Sequence, residues 1–216
     1  MTSYVTPPST SIPMPSAPYS FTLLRHGESL GNAQGVSQGQ TDFPLTETGL
    51  QQARDLVARW QSEGVGFDQI ISSPLTRARQ TAEIIGGPLN VPIEVVPDWM
   101  ERSFGSLEGI PFAEVARLDP SVDFFFTYSR LGGDGESLPD LFQRARQAID
   151  GLICRPPGRY LVVSHGVILN TVLLTILGLG AQPESTHARF SFGNTAYASL
   201  SYDPARALWK IISLDN

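Results

Sequence analysis

The sequence has very little cysteine and lysine, and these absences exclude several kinds of protein. Cys154 is the only cysteine among 216 residues, so no disulfide can form within the chain. Lys210 is the only lysine, and the other cations are arginines, which do not act as Schiff-base nucleophiles but bind phosphate and carboxylate groups bidentately. The chain is long enough to bury a full core, so it needs neither disulfides nor a structural metal for stability.

Basic clusters and long apolar runs are also missing. Fifteen basic against 21 acidic residues give a net charge of -6, which argues against nucleic acid or an anionic membrane surface as a partner. The longest apolar stretch, residues 167–179, is interrupted by polar residues and is too short to span a bilayer. The N-terminus lacks the charged and apolar regions of a signal peptide, so we expect a cytoplasmic protein.

The chain divides into an N-terminal tail and one domain. Residues 1–19 contain five of the seventeen prolines among serines and threonines, a composition that favours disordered chain. Over residues 20–216 strand and helix patterns alternate, which predicts an α/β sandwich with a mostly parallel sheet. Residues 102–138 are irregular and contain an aromatic cluster, and we interpret them as a lid-like insertion that roofs a pocket.

Periodicity and turn signals predict the individual elements. Short apolar runs predict buried strands over residues 21–24, 69–72, 93–96 and 160–163. Helical spacing predicts helices over residues 46–64, 73–86, 139–153 and 166–177. The second of these begins with Ser73 as N-cap and Pro74 at the first helical position. A turn signal at Asp203-Pro204 predicts a terminal hairpin of residues 196–202 and 208–214.

Two of the predicted strands end in a histidine followed by a glycine. One leads into Arg25-His26-Gly27 and the other into Ser164-His165-Gly166. Open α/β sheets bind ligands at the carboxyl ends of their strands, and a helix N-terminus after the glycine favours an anion there. Arg25, and Arg77 early in the next helix, add positive charge at the same edge. Two histidines, two arginines and no metal-ligand cluster therefore indicate a site for a phosphate-type oxyanion.

The hexapeptide around the first histidine resembles a known family signature. Leu24-Arg25-His26-Gly27-Glu28-Ser29 is similar to the signature of the histidine phosphatase superfamily, the phosphoglycerate mutase-like group. Further matching pieces occur in the family's order at Asn32, Gln38-Gly39 and residues 42–49, 72–82, 101–109, 135–137 and 163–166. The match covers about residues 21–200, most of the chain.

The resemblance implies a role for each matching residue. His26 would be the nucleophile that forms a phosphohistidine, while a backbone acceptor fixes its other ring nitrogen. Arg25, Arg77 and His165 would surround the transferring phosphoryl group and neutralise its oxygens. Glu101 would protonate the leaving alkoxide and then deprotonate the attacking water. The residues expected to line the substrate site are Asn32, Gln38, Gly39 and Gly166.

Other interpretations stay open for some of these positions. Arg77 could be a surface helix arginine like Arg79, and Glu108 is a second candidate for the acid. His187 is interpreted as structural. Three histidines and one cysteine at no ligand spacing predict no zinc or iron site, and the resemblance implies no cofactor.

The sequence departs from the family in its packing residues and in its cations. Gly31 stands where many mutases carry tryptophan, and Leu107 where many phosphatases do. The insertion lacks the lysine and paired arginines with which the mutases bind phosphoglycerate. Its only cations are Arg102, Arg117 and Arg130.

Together these features predict a metal-independent phosphatase on a three-layer α/β/α sandwich with a mostly parallel central sheet. It would hydrolyse small phosphate monoesters through a phosphohistidine, with a small phosphorylated metabolite as its partner. The alternatives are a phosphoglycerate-type mutase and a regulatory protein that binds phosphate without turnover. The intact set of His26, Arg25, Arg77, Glu101 and His165 argues against the regulatory protein. The sequence leaves the oligomeric state open, and a homodimer is among the assemblies that it allows.

Overall fold

The apolar strand runs of the sequence form one central sheet. The computed structural model describes residues 19–182 and 188–215. Its strands are β1 (Tyr19–Arg25), β2 (Gln69–Ser72), β3 (Ile93–Val95), β4 (Arg159–Ser164), β5 (Tyr197–Asp203) and β6 (Leu208–Asp215). The strand order is β3-β2-β4-β1-β5-β6. The first four strands pair in parallel, whereas β5 and β6 are antiparallel, so the sheet is mixed and mostly parallel.

Helices cover both faces of this sheet. The helices are α1 (Leu30–Gln34), α2 (Glu47–Ser62), α3 (Thr76–Leu89), α4 (Phe112–Leu118), α5 (Leu138–Ile153) and α6 (Gly166–Ile176). Two 3₁₀ turns lie at Pro97–Trp99 and Gly105–Leu107. None of the described helices combines the length and the apolar character that crossing a bilayer requires.

Alternation along the strands divides the core into two layers. In β1, Phe21 and Leu23 belong to the cluster that contains the apolar faces of α5 and α6. Leu24 points the other way, into the cluster that contains the apolar faces of α2 and α3. In β4, Val162 and Val163 divide between the same two clusters. This alternation, with a period of two residues, confirms the three-layer α/β/α sandwich.

Tyr19 belongs to the domain, although its position after the prolines assigns it to the tail. It is the first residue of β1, and its buried hydroxyl donates a hydrogen bond to the carbonyl oxygen of Arg155 at 2.7 Å. A single aromatic residue carries no periodicity, so the sequence places the boundary one residue too late. Residues 1–18 lie outside the described part of the chain.

Helix α3 begins later than its sequence signal predicts. Ser73 is predicted as the N-cap, but the helix starts at Thr76, and its N-cap, Leu75, makes no side-chain hydrogen bond. The hydroxyl of Ser73 instead lies 2.8 Å from Nε2 of His165. The predicted helix start is wrong: the hydroxyl of Ser73 also accepts a hydrogen bond from the backbone N–H of Leu75 at 3.3 Å, in the turn that precedes the helix. The helix also runs past the expected end, to Leu89, where Asn90 adopts a left-handed conformation with φ of 53°.

Two short helices have no clear signal in the sequence. Helix α1 is five residues long and depends on a capping box in which Ser29 and Asn32 bond to each other's backbone. Helix α4 lies inside the insertion of residues 102–138. The predictions for α2, α5, α6 and the terminal hairpin are confirmed to within two residues at each end.

Candidate active site

The pairing of β1 with β4 brings the two histidines together. Arg25 pairs with Ser164 in the parallel register, so the residues that follow them, His26 and His165, lie side by side at the carboxyl edge of the sheet. The backbone N–H of His26 donates to the carbonyl oxygen of Ser164 at 3.0 Å. The two imidazole centroids are 5.0 Å apart. The sequence motif and the sheet register therefore agree on this edge as the site.

His26 is a buried, neutral ring with an available lone pair. Its Nδ1 lies 2.7 Å from the carbonyl oxygen of Gly27. A carbonyl only accepts hydrogen bonds, so Nδ1 carries the proton and Nε2 of the neutral ring keeps its lone pair. Burial lowers the pKa of His26 well below its ordinary value, and the charges of Arg77 and Arg25 lower it further. The ring is therefore uncharged at neutral pH, which is the state in which imidazole is a nucleophile.

Arg77 is a buried cation fixed by two loop carbonyls. Its Nη1 donates to the carbonyl oxygen of Thr41 at 2.9 Å, and its Nη2 donates to that of Gly39 at 2.7 Å. Gly39 has a φ of 51°, and a Cβ there would collide with the carboxylate of Glu108. Burial lowers the pKa of Arg77 to about 10, so the side chain stays charged. Arg79, by contrast, is exposed and pairs with a neighbour on its own helix, so only Arg77 points to the site.

His165 lies behind Arg77. The Nε of Arg77 donates to Nδ1 of His165 at 3.2 Å, so Nδ1 is the acceptor and Nε2 carries the proton. Nε2 then donates to the hydroxyl of Ser73 at 2.8 Å. Burial, followed by the charge of Arg77, lowers the pKa of His165 well below its ordinary value. Both ring nitrogens of His165 are therefore engaged, by Arg77 and Ser73, and the expected contact of His165 with the phosphoryl group stays a prediction.

Arg25 brings a second buried cation to the pocket. Its Nη1 donates to the carbonyl oxygen of Phe192 at 2.7 Å. Its Nε is buried without a hydrogen-bond partner in the described part of the chain. Burial is also the main reason that the pKa of Arg25 is lowered from its ordinary value. A buried donor without a partner is costly, and a bound phosphate oxygen would relieve that cost.

Glu101 is bonded to the N-terminus of α6. Its Oε1 accepts hydrogen bonds from the backbone N–H groups of Arg102 at 2.9 Å and Ile168 at 3.1 Å, and its Oε2 accepts one from Val167 at 3.1 Å. Two of these donors lie in the first turn of α6, where N–H groups lack partners within the helix. Glu101 also lines the pocket, so its carboxyl group is both fixed and accessible.

The segment that carries Glu101 is anchored by Arg144 on α5. Nη1 of Arg144 donates to the carbonyl oxygens of Asp98 at 2.8 Å and Met100 at 2.6 Å, and Nη2 donates to that of Glu101 at 3.3 Å. The same guanidinium forms an ion pair with Glu136 at 2.6 Å. The two side chains are only 16% and 13% exposed, so α5 fixes the backbone on which Glu101 stands.

Ser29 orients two amide side chains. Its hydroxyl lies 2.9 Å from Oδ1 of Asn32 and 2.6 Å from Oε1 of Gln38. The hydroxyl has one proton for these two oxygens, and the backbone N–H of Ser29 donates a further hydrogen bond to Oδ1 of Asn32 at 3.1 Å. Asn32 and Gln38 both line the pocket. Gly39 and Gly166 line the same pocket, and Gly166 is the first residue of α6. All four predicted substrate-site residues thus meet in one place.

The pocket has a cavity volume of about 510 Å³ and a lining of two chemical kinds. The polar part contains the side chains of Arg25, His26, Asn32, Gln38, Arg77 and Glu101. Apart from Val167, the apolar part, here called the aromatic wall, consists of Phe104, Phe112, Val122, Phe124, Phe125 and Phe192.

Arg189 is a lining residue that the sequence does not indicate. It lies in the segment between α6 and β5, and its guanidinium carbon is 3.7 Å from the ring centroid of Phe125. No motif or spacing surrounds this arginine, so only the folded chain reveals its place.

Comparison with protein-family models identifies the family. Residues 21–215 match the model of the histidine phosphatase superfamily, branch 1. The chain belongs to the histidine phosphatase superfamily. A protein of Yersinia pestis (strain Pestoides F) named "Probable phosphoglycerate mutase GpmB" is 37% identical over 166 residues, which is 75% of this chain and 76% of that protein.

Solved structures of other proteins have the same fold. Bacillus stearothermophilus YhfR superposes with a TM-score of 0.77 at 30% identity, over 90% of this chain and 95% of that one. A phosphoserine phosphatase from Entamoeba histolytica, in complex with 3-phosphoglyceric acid, superposes with a TM-score of 0.72 at 27% identity, over 92% and 97% of the two chains. The resemblance in sequence motifs and the expected fold are both confirmed.

The three cations of the insertion do not serve as pocket cations in this histidine phosphatase. Arg102 is fully buried and donates to the carbonyl oxygens of Phe124, Thr127 and Glu136 at 2.7–3.1 Å. The other two cations of the insertion are exposed on the surface. Arg117 pairs with Glu114, and Arg130 pairs with Asp140. Among the described residues, the arginines that line the pocket are Arg25, Arg77 and Arg189.

The second candidate for the acid, Glu108, has a different environment from Glu101. Its Oε1 accepts hydrogen bonds from the backbone N–H groups of Gln40 and Phe104, each at 3.0 Å, and its Oε2 accepts one from the hydroxyl of Thr41 at 2.8 Å. Glu108 thereby joins two loops, whereas Glu101 lines the pocket.

The two departures from the superfamily's packing pattern have visible consequences. At Gly31, a Cβ would lie 2.5 Å from the side chain of Gln38, so the missing side chain leaves the space that Gln38 occupies. Leu107 packs, partly buried, against the core cluster that contains α5 and α6.

Metal-ligating residues are not grouped in the part of the chain that is described. Over residues 19–182 and 188–215, no three His, Cys, Asp or Glu side chains form a group that could hold a metal ion. His187, interpreted from the sequence as structural, lies outside these residues.

Proposed function

We propose that this chain is a metal-independent phosphatase that hydrolyses small phosphate monoesters through a phosphohistidine at His26. The observation that carries the proposal is the neutral imidazole of His26, with Nδ1 bonded to the Gly27 carbonyl and Nε2 unprotonated, in a pocket with Arg25 and Arg77. Buried arginines suit a doubly charged phosphate ester. Membership of the histidine phosphatase superfamily supports the same chemistry.

The first half of the reaction transfers the phosphoryl group to the protein. Nε2 of His26 uses its lone pair to form a bond to phosphorus, and the bond from phosphorus to the ester oxygen breaks. The carboxyl group of Glu101, in its protonated form, gives its proton to the departing alkoxide. The ring becomes positively charged, and the hydrogen bond from Nδ1 to Gly27 stabilises it in this state.

The second half returns the site to its starting state. The carboxylate of Glu101 takes a proton from a water molecule, and the water oxygen attacks phosphorus. The bond from phosphorus to Nε2 breaks, and its electron pair returns to the ring of His26. Inorganic phosphate leaves, and Glu101 is protonated for the next turnover.

Electrostatic stabilisation comes from groups that are already in place. The Nε of Arg25 and the second protons of the Arg77 nitrogens bind the oxygens of the phosphoryl group. His165 acts as a positioning residue that holds Arg77 through its Nε. The amide nitrogens of Asn32 and Gln38 supply further donors.

The pocket cations favour a phosphatase over a mutase. A mutase must hold a phosphoglycerate by its carboxylate and second phosphate while the phosphoenzyme waits, which requires cations beyond those at the reacting phosphoryl group. The Yersinia relative carries a mutase name, and its similarity to this chain is a reason to test the mutase alternative. However, Arg102, Arg117 and Arg130 are engaged by carbonyl or carboxylate groups elsewhere, and Arg189, the remaining pocket arginine, stacks on Phe125. The Entamoeba protein named as a phosphoserine phosphatase supports the phosphatase.

The nucleophile can be tested directly. We expect His26→Ala to lower the turnover of p-nitrophenyl phosphate by about a thousandfold or more, because nucleophilic attack and positioning are lost together. Wild-type protein quenched during turnover should carry phosphate in an acid-labile, base-stable linkage, and His26→Ala should carry none. Near-normal turnover in His26→Ala would disprove the mechanism.

A matched pair of arginines on α3 tests the electrostatic part. Arg77→Ala should lower kcat/KM about a hundredfold or more, as the loss of an oxyanion donor does elsewhere. Arg79→Ala removes an exposed cation two residues away and should leave kcat/KM unchanged. Equal effects in the two variants would mean that general surface charge, and not the Arg77 contact, is responsible.

We also propose a cytoplasmic location and a homodimeric assembly. The single cysteine, Cys154, is exposed and unpaired, which is compatible with a reducing compartment. The edge strand β6 exposes Leu208, Ile212 and Leu214, which supports pairing with a second copy. Light scattering coupled to size-exclusion chromatography gives the mass in solution and decides the assembly.

A further inference from the structure

The aromatic wall occupies the part of the pocket that the phosphoryl chemistry leaves unused. A cavity of about 510 Å³ lies within the range of about 300–1,000 Å³ typical of sites for small organic ligands. The phosphoryl group needs the side chains of the polar part. The leaving group therefore meets the aromatic wall.

The aromatic wall is organised before any ligand binds. The ring of Phe124 packs against Phe104 at a centroid distance of 4.5 Å, and edge-on against Phe112 at 5.4 Å. The buried guanidinium of Arg102 holds the backbone of this segment through the carbonyl oxygens of Phe124 and Thr127. A wall fixed in this way loses little conformational entropy when a ligand ring packs against it.

Arg189 contacts the aromatic wall from a different segment of the chain. Its guanidinium stacks on Phe125, 3.7 Å from the ring centroid, so its face is already engaged by an aromatic ring. Arg189 precedes Phe192, and Phe125 belongs to the insertion, so the contact links two separate segments of the lining. We interpret Arg189 as a positioning residue for Phe125.

The polar groups near the wall do not suit a charged leaving group. Asp123 and Arg189 both line the pocket with opposite charges. The Oδ1 of Asp123 already accepts hydrogen bonds from the backbone N–H groups of Phe125 at 2.7 Å and Phe126 at 3.2 Å. Because the charges of Asp123 and Arg189 are opposite, they give this part of the pocket no net charge with which to attract an anionic or a cationic leaving group, whereas a neutral ring would lose no hydrogen bonds on burial.

We infer that the preferred substrates are phosphate monoesters of alcohols that carry a neutral aromatic ring. The ring packs on Phe124 and its neighbours while the phosphoryl group occupies the polar part of the pocket. This inference rests on the proposed phosphatase function and adds the class of leaving group to it.

Two esters with alkyl leaving groups separate the inference from the reaction itself. We expect kcat/KM for 2-phenylethyl phosphate to exceed that for ethyl phosphate about tenfold or more, because apolar pocket contacts discriminate on this scale. Both esters release a primary alcohol, so differences in leaving-group acidity contribute little. If neither ester is hydrolysed, the proposed function fails, and the inference fails with it. If both are hydrolysed with equal kcat/KM, the phosphatase stands and the inference is overturned.

Variants assign the preference to the wall. Phe124→Ala should reduce the ratio of the two kcat/KM values about fivefold or more, mainly through KM for 2-phenylethyl phosphate. Arg189→Ala, at an exposed position, should reduce the same ratio and serves where Phe124→Ala does not fold. Arg117→Ala and Leu118→Ala alter exposed residues of α4 and should leave the ratio unchanged. A ratio that neither Phe124→Ala nor Arg189→Ala reduces would overturn the inference.

Discussion

The protonation state of His26 and His165 follows from their surroundings. Burial is the largest cause that lowers the pKa of each ring, and Arg77 is the next. In the unfolded chain both rings titrate near pH 6.5. Below that pH the unfolded chain binds protons that the folded protein does not, so the free energy of unfolding falls as pH falls through about 6.5.

We expect this loss of stability when no phosphate is bound in the pocket, so the buffer should contain none. Between pH 6.5 and 5.5 the two rings together should lower the free energy of unfolding by at most about 2.7 kcal/mol per pH unit. This limit corresponds to two protons that the unfolded chain binds and the folded protein does not. Urea unfolding at pH 7.5, 6.5 and 5.5 measures the slope. His26→Gln removes one titrating ring and should roughly halve it. A stability that is constant over this range would contradict the assignment of both rings as neutral.

Glu101 should matter most when the leaving group is a poor one. Glu101→Gln keeps the shape of the side chain and removes the transferable proton. We expect it to lower kcat for an alkyl phosphate about a hundredfold or more, and to lower the first step with p-nitrophenyl phosphate much less, because nitrophenolate leaves without a proton. Phosphohistidine formation in single-turnover experiments measures that step. Equal losses on both esters would move the acid role to another group, with Glu108 as the next carboxyl group to test.

Residue-level reasoning from the sequence selects His26, Arg25, Arg77 and Glu101 through the family motif, and the structure brings these four residues to one pocket. It also expects His165 in the site, but the bonds of His165 to Arg77 and Ser73 depend on the distance between β4 and the start of α3. No sequence pattern predicts such a distance. The same holds for the use of Ser73 as a hydrogen-bond partner of histidine in place of a helix cap.

Among the elements, α5 has a role that extends beyond packing. Its apolar face covers the sheet, while Arg144 on the same helix binds the backbone of the segment that carries Glu101. The ion pair with Glu136 is largely buried, so removing one partner leaves an uncompensated charge.

We expect Arg144→Met to lower the free energy of unfolding by about 3 kcal/mol or more, the usual cost of leaving a buried charge without its partner. At a temperature where the variant is folded, kcat should fall while KM changes little, because Glu101 is displaced and the arginines of the pocket are not. Arg146→Met alters an exposed arginine on the same helix and is the control. Urea unfolding and steady-state kinetics measure the two effects, and an unchanged stability would show that the ion pair contributes nothing.

Elements with a strong apolar period are those that the sequence predicts well. Helices α2 and α5 each have 16 residues and a continuous apolar face, so their ends agree with the predictions to within two residues. Helix α1 has only five residues and one local capping box, which is too little for a periodic signal. Helix α4 is equally hard to predict because its neighbours in the insertion are irregular.

For the whole molecule, the distribution of cations favours a phosphatase over a mutase, although Arg189 also lines the pocket. The mutase alternative requires cations for the second anionic group of a phosphoglycerate, and those of the insertion are engaged elsewhere. We expect incubation with 3-phosphoglycerate, with or without 2,3-bisphosphoglycerate, to release phosphate slowly or to give no reaction. Phosphorus NMR distinguishes free phosphate from 2-phosphoglycerate. Interconversion of the two phosphoglycerates that is much faster than phosphate release would overturn the phosphatase assignment.

For the whole molecule, the sequence predicts the sandwich from the alternation of strand and helix patterns. It predicts the polar part of the pocket mainly from the motifs at strand ends. It does not identify the assembly of the aromatic wall. Phe192 and Arg189 come from a segment without a motif and meet the insertion only through the tertiary fold. Composition shows that aromatic residues are present in the insertion, but their mutual packing depends on the three carbonyl contacts of Arg102.

The contacts of Arg102 also bear on how this enzyme can diversify. The residues proposed to attack and bind phosphorus, His26, Arg25 and Arg77, lie on or next to β1 and on α3, whereas five of the six wall residues belong to one segment between Glu101 and α5. The polar part of the pocket and the aromatic wall therefore come largely from different segments of the chain. Mutations that reshape the segment but keep Arg102 and its acceptors can change which alcohols are accepted at little risk to the chemistry. Substitutions within this one segment can therefore change the preferred substrate while the residues proposed for the chemistry stay the same.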